Sequence, residues 1–118
     1  MEITGLRWLG TRTEKFSETV SFFRDVMNLE VKETQESYTG FNFPNGDTVE
    51  VFGVNEPDHK FFTTGPVAGF GVTDIEGSRQ ELEAAGIEFI GDIHGDESGH
   101  RWSHFYGPDG NVYEITEA

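Results

Sequence analysis

The 118-residue chain contains no cysteine, which excludes disulfides, thiolate catalysis and cysteine-based zinc sites. Positive charge is scarce: 8 lysines and arginines stand against 22 aspartates and glutamates, a formal net charge of −14. Such a surface repels nucleic-acid phosphates and anionic membranes. Its field favours a cationic ligand, and it equally serves plain solubility or adaptation to a salty cytoplasm. Long apolar runs are missing too, since no stretch approaches the ~18 residues of a membrane span. Met1-Glu2-Ile3-Thr4 lacks the basic-then-apolar order of a secretory leader. The expectation is a cytoplasmic protein that binds neither nucleic acid nor membrane. The length suits one compact domain over 1–118. A cavity in so small a domain must be shallow, shared between modules or completed by a second subunit.

What is present alternates strand and helix patterns. Residues 3–11 read as a strand, and Phe16, Val20, Phe23 and Met27 recur at helical spacing over 14–27 after a candidate N-cap at Thr13. Asn28 stands where a helix ends in a left-handed residue. Strands are expected over 29–34, 38–43 and 48–53, the last two flanking Pro44-Asn45-Gly46-Asp47, a hairpin signal. The order then restarts. Residues 67–72 form a strand, Thr73-Asp74-Ile75-Glu76 has capping-box spacing, and Ile75, Leu82 and Ala85 mark a helix that Gly86 ends. Strands follow at 87–90, 101–106 and 111–116, with an irregular loop at 91–100 and a turn at Gly107-Pro108-Asp109-Gly110.

This is an internal repeat. Pro44-Asn45-Gly46-Asp47-Thr48-Val49-Glu50-Val51 lies over Pro108-Asp109-Gly110-Asn111-Val112-Tyr113-Glu114-Ile115, and Asn28-Leu29-Glu30-Val31 over Gly86-Ile87-Glu88-Phe89. The expected organisation is module 1 (about 1–53), a linker (54–66) and module 2 (67–118). Phe61 and Phe62 are unusual for a solvated linker and are expected to dock on a core or a partner.

Ile3-Thr4-Gly5-Leu6, Phe22-Phe23-Arg24-Asp25-Val26-Met27-Asn28-Leu29, Phe70-Gly71-Val72-Thr73-Asp74-Ile75 and Gly107-Pro108-Asp109-Gly110-Asn111-Val112-Tyr113-Glu114 resemble the vicinal oxygen chelate superfamily. These are the glyoxalase, bleomycin-resistance and extradiol dioxygenase proteins. Gly107 departs from the family's usual Asp at that turn. The resemblance implies an α+β fold of two tandem βαβββ modules forming curved mixed sheets around a cleft, and a homodimer. It also implies metal ligands from a His on the first strand and a Glu on the fourth strand of each module. Those positions fall on Trp8, Glu50, Val67 and Glu114, so both glutamates are kept and both histidines are lost. Glutathione-dependent glyoxalase chemistry is therefore not expected.

Alternation independently turns Val112, Glu114 and Thr116 to one face and Tyr113 and Ile115 to the other. Likewise Thr48, Glu50 and Phe52 oppose Val49 and Val51. Val67, Gly69 and Gly71 share a face with little bulk, which either leaves room for a ligand or relieves crowding. Two carboxylates in one cleft invite a cation, a raised pKa or simple separation, and an all-oxygen pair suits Mg²⁺, Mn²⁺ or Ca²⁺. With a four-residue turn at 107–110, Ser103 pairs with Glu114 and His104 points to the opposite face. His94 and His100 lie in the loop beside Asp92, Asp96 and Glu97, as a lid, a separate metal site or solvated side chains.

The leading expectation is a small-molecule-binding protein with a degraded metal site. Its organic ligand, cationic or aromatic, is contacted by Trp8, Phe41, Phe43, Val67, Gly69, Ser103 and Phe105. The alternatives are a divalent-metal-dependent lyase, isomerase or dioxygenase using Glu50 and Glu114 as metal ligands or catalytic groups, and a structural or regulatory homodimer.

Overall fold

The computed structural model describes residues 1–96 and 98–117; Glu97 lies outside the described residues. The fold is α+β, with the order β1(Ile3–Arg12), α1(Phe16–Ser21), β2(Glu30–Gln35), β3(Tyr38–Asn42) and β4(Thr48–Phe52), repeated as β5(Val67–Val72), α2(Ile75–Ala84), β6(Glu88–Gly95), β7(Arg101–Tyr106) and β8(Val112–Glu117). The chain forms two compact units, Trp8–Pro66 and Met1–Arg7 with Val67–Ala118. Segment 54–66, expected as a linker, belongs to the first of these.

In the unit Trp8–Pro66 the strand order is β2-β3-β4-β1. The β1–β4 pair is parallel and the others antiparallel, so the sheet is mixed. Val20, Phe41 and Val51 form its core, with Phe16, Phe23 and Leu29 packed against them. Full burial of Phe41 and Val51 contributes about 1.5–3 kcal/mol each. Met27 does not join them and is 49% exposed. The reason is a change of helical period. After Ser21 the helix passes into a π-helical turn over Phe22–Val26, and Met27 N donates to Phe22 O five residues back. The wider turn rotates Met27 off the buried stripe. Asn28 then takes φ +58°, ending the helix where its sequence indicated.

The unit of Met1–Arg7 and Val67–Ala118 has the strand order β5-β8-β7-β6, with β5–β8 parallel and the rest antiparallel. Val72, Ile75, Phe105 and Ile115 make its core beneath α2, joined by Leu82, Phe89 and Tyr113. The N-cap of α2 is Asp74 rather than Thr73; its Oδ1 accepts from Gly77 N at 3.1 Å. Glu117 adds a second cap from β8, accepting from Ile75 N at 2.8 Å while pairing with Arg101 at 2.8 Å. The Arg101 guanidinium, then the Ile75 N–H, hold the Glu117 carboxyl below its usual range. Residues 91–95, expected as irregular loop, continue β6, with a register shift between Ile90 and His94 absorbing the extra residues.

The two hairpins are built alike. Phe43 N donates to Asp47 O and Gly107 N to Asn111 O, at 2.8 and 2.9 Å. In each, the side chain at the third loop position accepts from the backbone N–H two residues on: Asn45 from Asp47, and Asp109 from Asn111. Each loop thus holds five residues, one more than a four-residue count.

Candidate functional site: two glutamates in two settings

That one extra loop residue changes the chemistry around Glu114. Tyr106 pairs with Val112, Ser103 with Ile115 and His104 with Glu114. A register displaced by one residue exchanges the faces of the whole strand. His104 therefore shares the Glu114 face, correcting the expectation that it points away. Its Nε2 lies 3.2 Å from Glu114 Oε1, and both side chains are almost fully buried. Ser103 turns instead toward α2, where its Oγ accepts from Arg79 Nη1 at 3.1 Å, so its expected place in a ligand wall beside Glu114 is withdrawn. Phe105 is withdrawn for the same reason, since it packs in the core with Ile75 and Ile115. Gly69 stands beside Glu114 in the β5–β8 register, and Val67 is wholly buried on the same strand. The space over Gly71 is filled from within: an added methyl would meet Thr4 Oγ1 at 2.3 Å and Arg7 Cγ at 2.7 Å. His94 and His100 flank the ring of Trp102 at 5.9 and 5.2 Å, and His100 Nε2 pairs with Thr116 Oγ1.

Glu50 has a different setting. It lies in register between Gly10 of β1 and Gly40 of β3. Trp8 and Tyr38 stand two residues before those glycines on their own strands, hence on the same sheet face. Each ring lies over its glycine. A methyl at Gly10 would fall 2.1 Å from Trp8 Cη2, and one at Gly40 would fall 2.8 Å from the Tyr38 hydroxyl. The missing side chains let both rings reach the carboxylate. Trp8 Nε1 donates to Oε1 at 2.7 Å, and the Tyr38 hydroxyl donates to Oε2 at 2.6 Å. Hydrogen bonds to a charged acceptor contribute about 1.5–3 kcal/mol each. Burial, then the bond to Glu50, push the Tyr38 hydroxyl well above its ordinary value, so it remains a donor at neutral pH.

The rest of this face is aromatic. Phe52 stacks on Tyr38 at 5.5 Å, His59 stacks on Phe52 at 4.5 Å, and Phe62 meets Trp8 edge-on at 6.0 Å. Segment 54–66 supplies His59 and Phe62 and is held down by Arg12, whose guanidinium donates to the carbonyls of Val54, Glu56 and Asp58. Phe62 is thereby docked, as its sequence context suggested. Phe41 is not part of this wall, because it sits under α1 in the core. Phe43 lines a pocket of about 620 Å³ elsewhere in the unit, with Asn28, Leu29, Asn42 and Pro44. Sequence reasoning missed Tyr38. The signal was available as aromatic-x-glycine on both strands beside Glu50, Trp8-Leu9-Gly10 and Tyr38-Thr39-Gly40.

These donors do not suit a metal. An indole N–H has no lone pair to give, and the valine side chain at Val67 has none either. Both Glu50 oxygens already accept hydrogen bonds. Among the described residues, no group of three or more histidine, aspartate or glutamate side chains is arranged to hold a metal ion.

Residues 5–115 match the family model of the Glyoxalase/Bleomycin resistance protein/Dioxygenase superfamily. No curated protein matches the chain in sequence. Among solved structures, it is similar to a glyoxalase/bleomycin resistance protein/dioxygenase superfamily member from Vibrio splendidus 12B01, with 19% identity, 99% of this chain and 100% of that one covered, and a TM-score of 0.70. It is also similar to methylmalonyl-CoA epimerase from Mycobacterium tuberculosis, with 15% identity, 98% and 88% covered, and a TM-score of 0.73. The Mn(II)-bound glyoxalase from Novosphingobium aromaticivorans aligns at 19% identity and a TM-score of 0.77, over 98% of this chain and 39% of that one. At these identities the likeness establishes the fold alone.

Proposed function

The chain belongs to the glyoxalase/bleomycin resistance protein/dioxygenase superfamily, and from that premise we propose that it binds a small organic cation, aromatic in part, at the Glu50 face without a metal ion. The observation that carries the reading is the capture of both Glu50 oxygens by Trp8 and Tyr38. A carboxylate held this way is preoriented. Each oxygen retains a lone pair for a further N–H donor. Trp8 and Tyr38, which hold the carboxylate, supply rings whose π systems favour a cation beside it, and Phe52 and Phe62 pack behind them. The overall charge of −14 attracts such a ligand and repels an anionic one.

The lyase, isomerase or dioxygenase reading has less support. It needs Glu50 and Glu114 as open ligands or bases, and Glu114 is 2% exposed against an equally buried His104. The binding reading is tested by titrating the protein with benzylammonium while following tryptophan fluorescence, with benzyl alcohol as the neutral control. Benzylammonium is expected to produce a saturable change that benzyl alcohol does not. Glu50→Gln is expected to weaken it about tenfold or more, the equivalent of one charge-assisted hydrogen bond. Equal responses to both probes, or an unchanged affinity in Glu50→Gln, would remove Glu50 from the site.

A further inference from the structure

Tyr38 stands at a junction that neither the fold nor the family assigns. In the sheet register Gly40 faces Glu50 on one side and Glu33 of β2 on the other. Because Gly40 has no side chain, the Tyr38 phenol lies across it, and its hydroxyl comes between the two carboxylates. It donates to Glu50 at 2.6 Å, and Glu33 also bears on it. One hydroxyl proton faces two carboxyl groups and can be donated to only one of them at a time. With the two oxygens 2.6 Å apart, the hydroxyl hydrogen sits about 1.6–1.7 Å from the acceptor oxygen. A bound Mg²⁺ or Ca²⁺ takes its oxygens at about 2.0–2.6 Å and requires roughly six or more of them. The phenol therefore fills the space over Gly40 that an ion bridging Glu33 and Glu50 would need, and the Trp8 indole N–H covers one side of the other Glu50 oxygen.

We infer that Tyr38 is a specificity-determining residue: its hydroxyl keeps a divalent ion from bridging Glu33 and Glu50 and reserves their charge for an organic cation that carries N–H donors. An ammonium N–H adds to the remaining lone pairs without displacing the phenol. A quaternary ammonium lacks that hydrogen and gains only the π contact. The inference deepens the binding reading above and rests on it for the ligand class.

The test compares wild type, Tyr38→Phe and Tyr38→Phe/Glu50→Gln. The phenylalanine keeps the stacking on Phe52 and removes only the hydroxyl, and circular dichroism with a thermal melt checks the fold. Mn²⁺ alone is titrated against each protein, with free ion read by electron paramagnetic resonance. Mn²⁺ is expected to bind Tyr38→Phe about tenfold or more tightly than wild type, in proportion to a removed charge-assisted donor, and the gain is expected to vanish in the double variant. In a second arm, wild type is titrated with benzylammonium and benzyltrimethylammonium, and the N–H-bearing probe is expected to bind about tenfold more tightly. If Tyr38→Phe gains no Mn²⁺ affinity, or the gain survives Glu50→Gln, the gating role of Tyr38 is overturned even where wild type binds benzylammonium. If the gain appears while neither organic probe binds, the gating of metal stands and the binding reading fails. Equal affinity for the two ammonium probes overturns the reservation for N–H donors.

Discussion

Glu114→Ala is expected to cost about 2–5 kcal/mol of folding stability, the range for truncating a large buried side chain to alanine. Glu114 Oε1 lies 3.2 Å from His104 Nε2 in the β7–β8 register, and each residue is 2% exposed. Alanine takes away the carboxylate that the imidazole faces and leaves a void where close packing does not refill space freely. Glu114→Gln keeps the shape and an acceptor oxygen, so its expected cost is smaller, about 1 kcal/mol. Urea unfolding of the three proteins measures both. An alanine variant that loses less than glutamine would show that the carboxylate is a burden there, not a partner of His104.

The second large effect concerns a residue with no side chain. Gly10→Ala places a methyl group 2.1 Å from Trp8 Cη2, a separation no relaxed structure tolerates, so the indole must move. Overpacking of this kind costs about 1–3 kcal/mol, and the lost Trp8–Glu50 bond about 1.5–3 kcal/mol more. In a Trp102→Phe background, which isolates Trp8, the fluorescence of Gly10→Ala is expected to shift to the red as the indole leaves its buried site. Gly99, whose added methyl meets nothing, is the control, and Gly99→Ala is expected to shift neither stability nor emission. An unshifted emission in Gly10→Ala would show that the indole does not depend on the glycine beneath it.

The fold was legible because its signals are local and doubled. Turn residues, helix stops at Asn28 and Gly86, and alternation in β4 and β8 occur twice in the same order. The errors arose where one residue changes a phase. A π-helical turn displaced Met27, and a fifth loop residue moved His104 onto the Glu114 face. Neither is written in hydrophobic period, because both depend on which backbone N–H finds which carbonyl. Glu50 and Trp8 were legible through the repeat and the family resemblance. Tyr38 was not, because it matters only through cross-strand register, which places it over Gly40 and against Glu50. Phe41 and Phe105 misled for the converse reason: an aromatic residue on a strand reads the same whether it faces a ligand or a helix.

Trp8 and Tyr38 hold Glu50 at a position where the family resemblance implies a metal ligand. Metal content tests this most directly. Protein purified without chelators, equilibrated with Mg²⁺, Mn²⁺ and Zn²⁺ and then desalted, would be analysed by plasma mass spectrometry beside Glu50→Gln. The expected result is a substoichiometric metal content that is the same in both proteins. One equivalent of a divalent metal in wild type, lost in Glu50→Gln, would contradict the account.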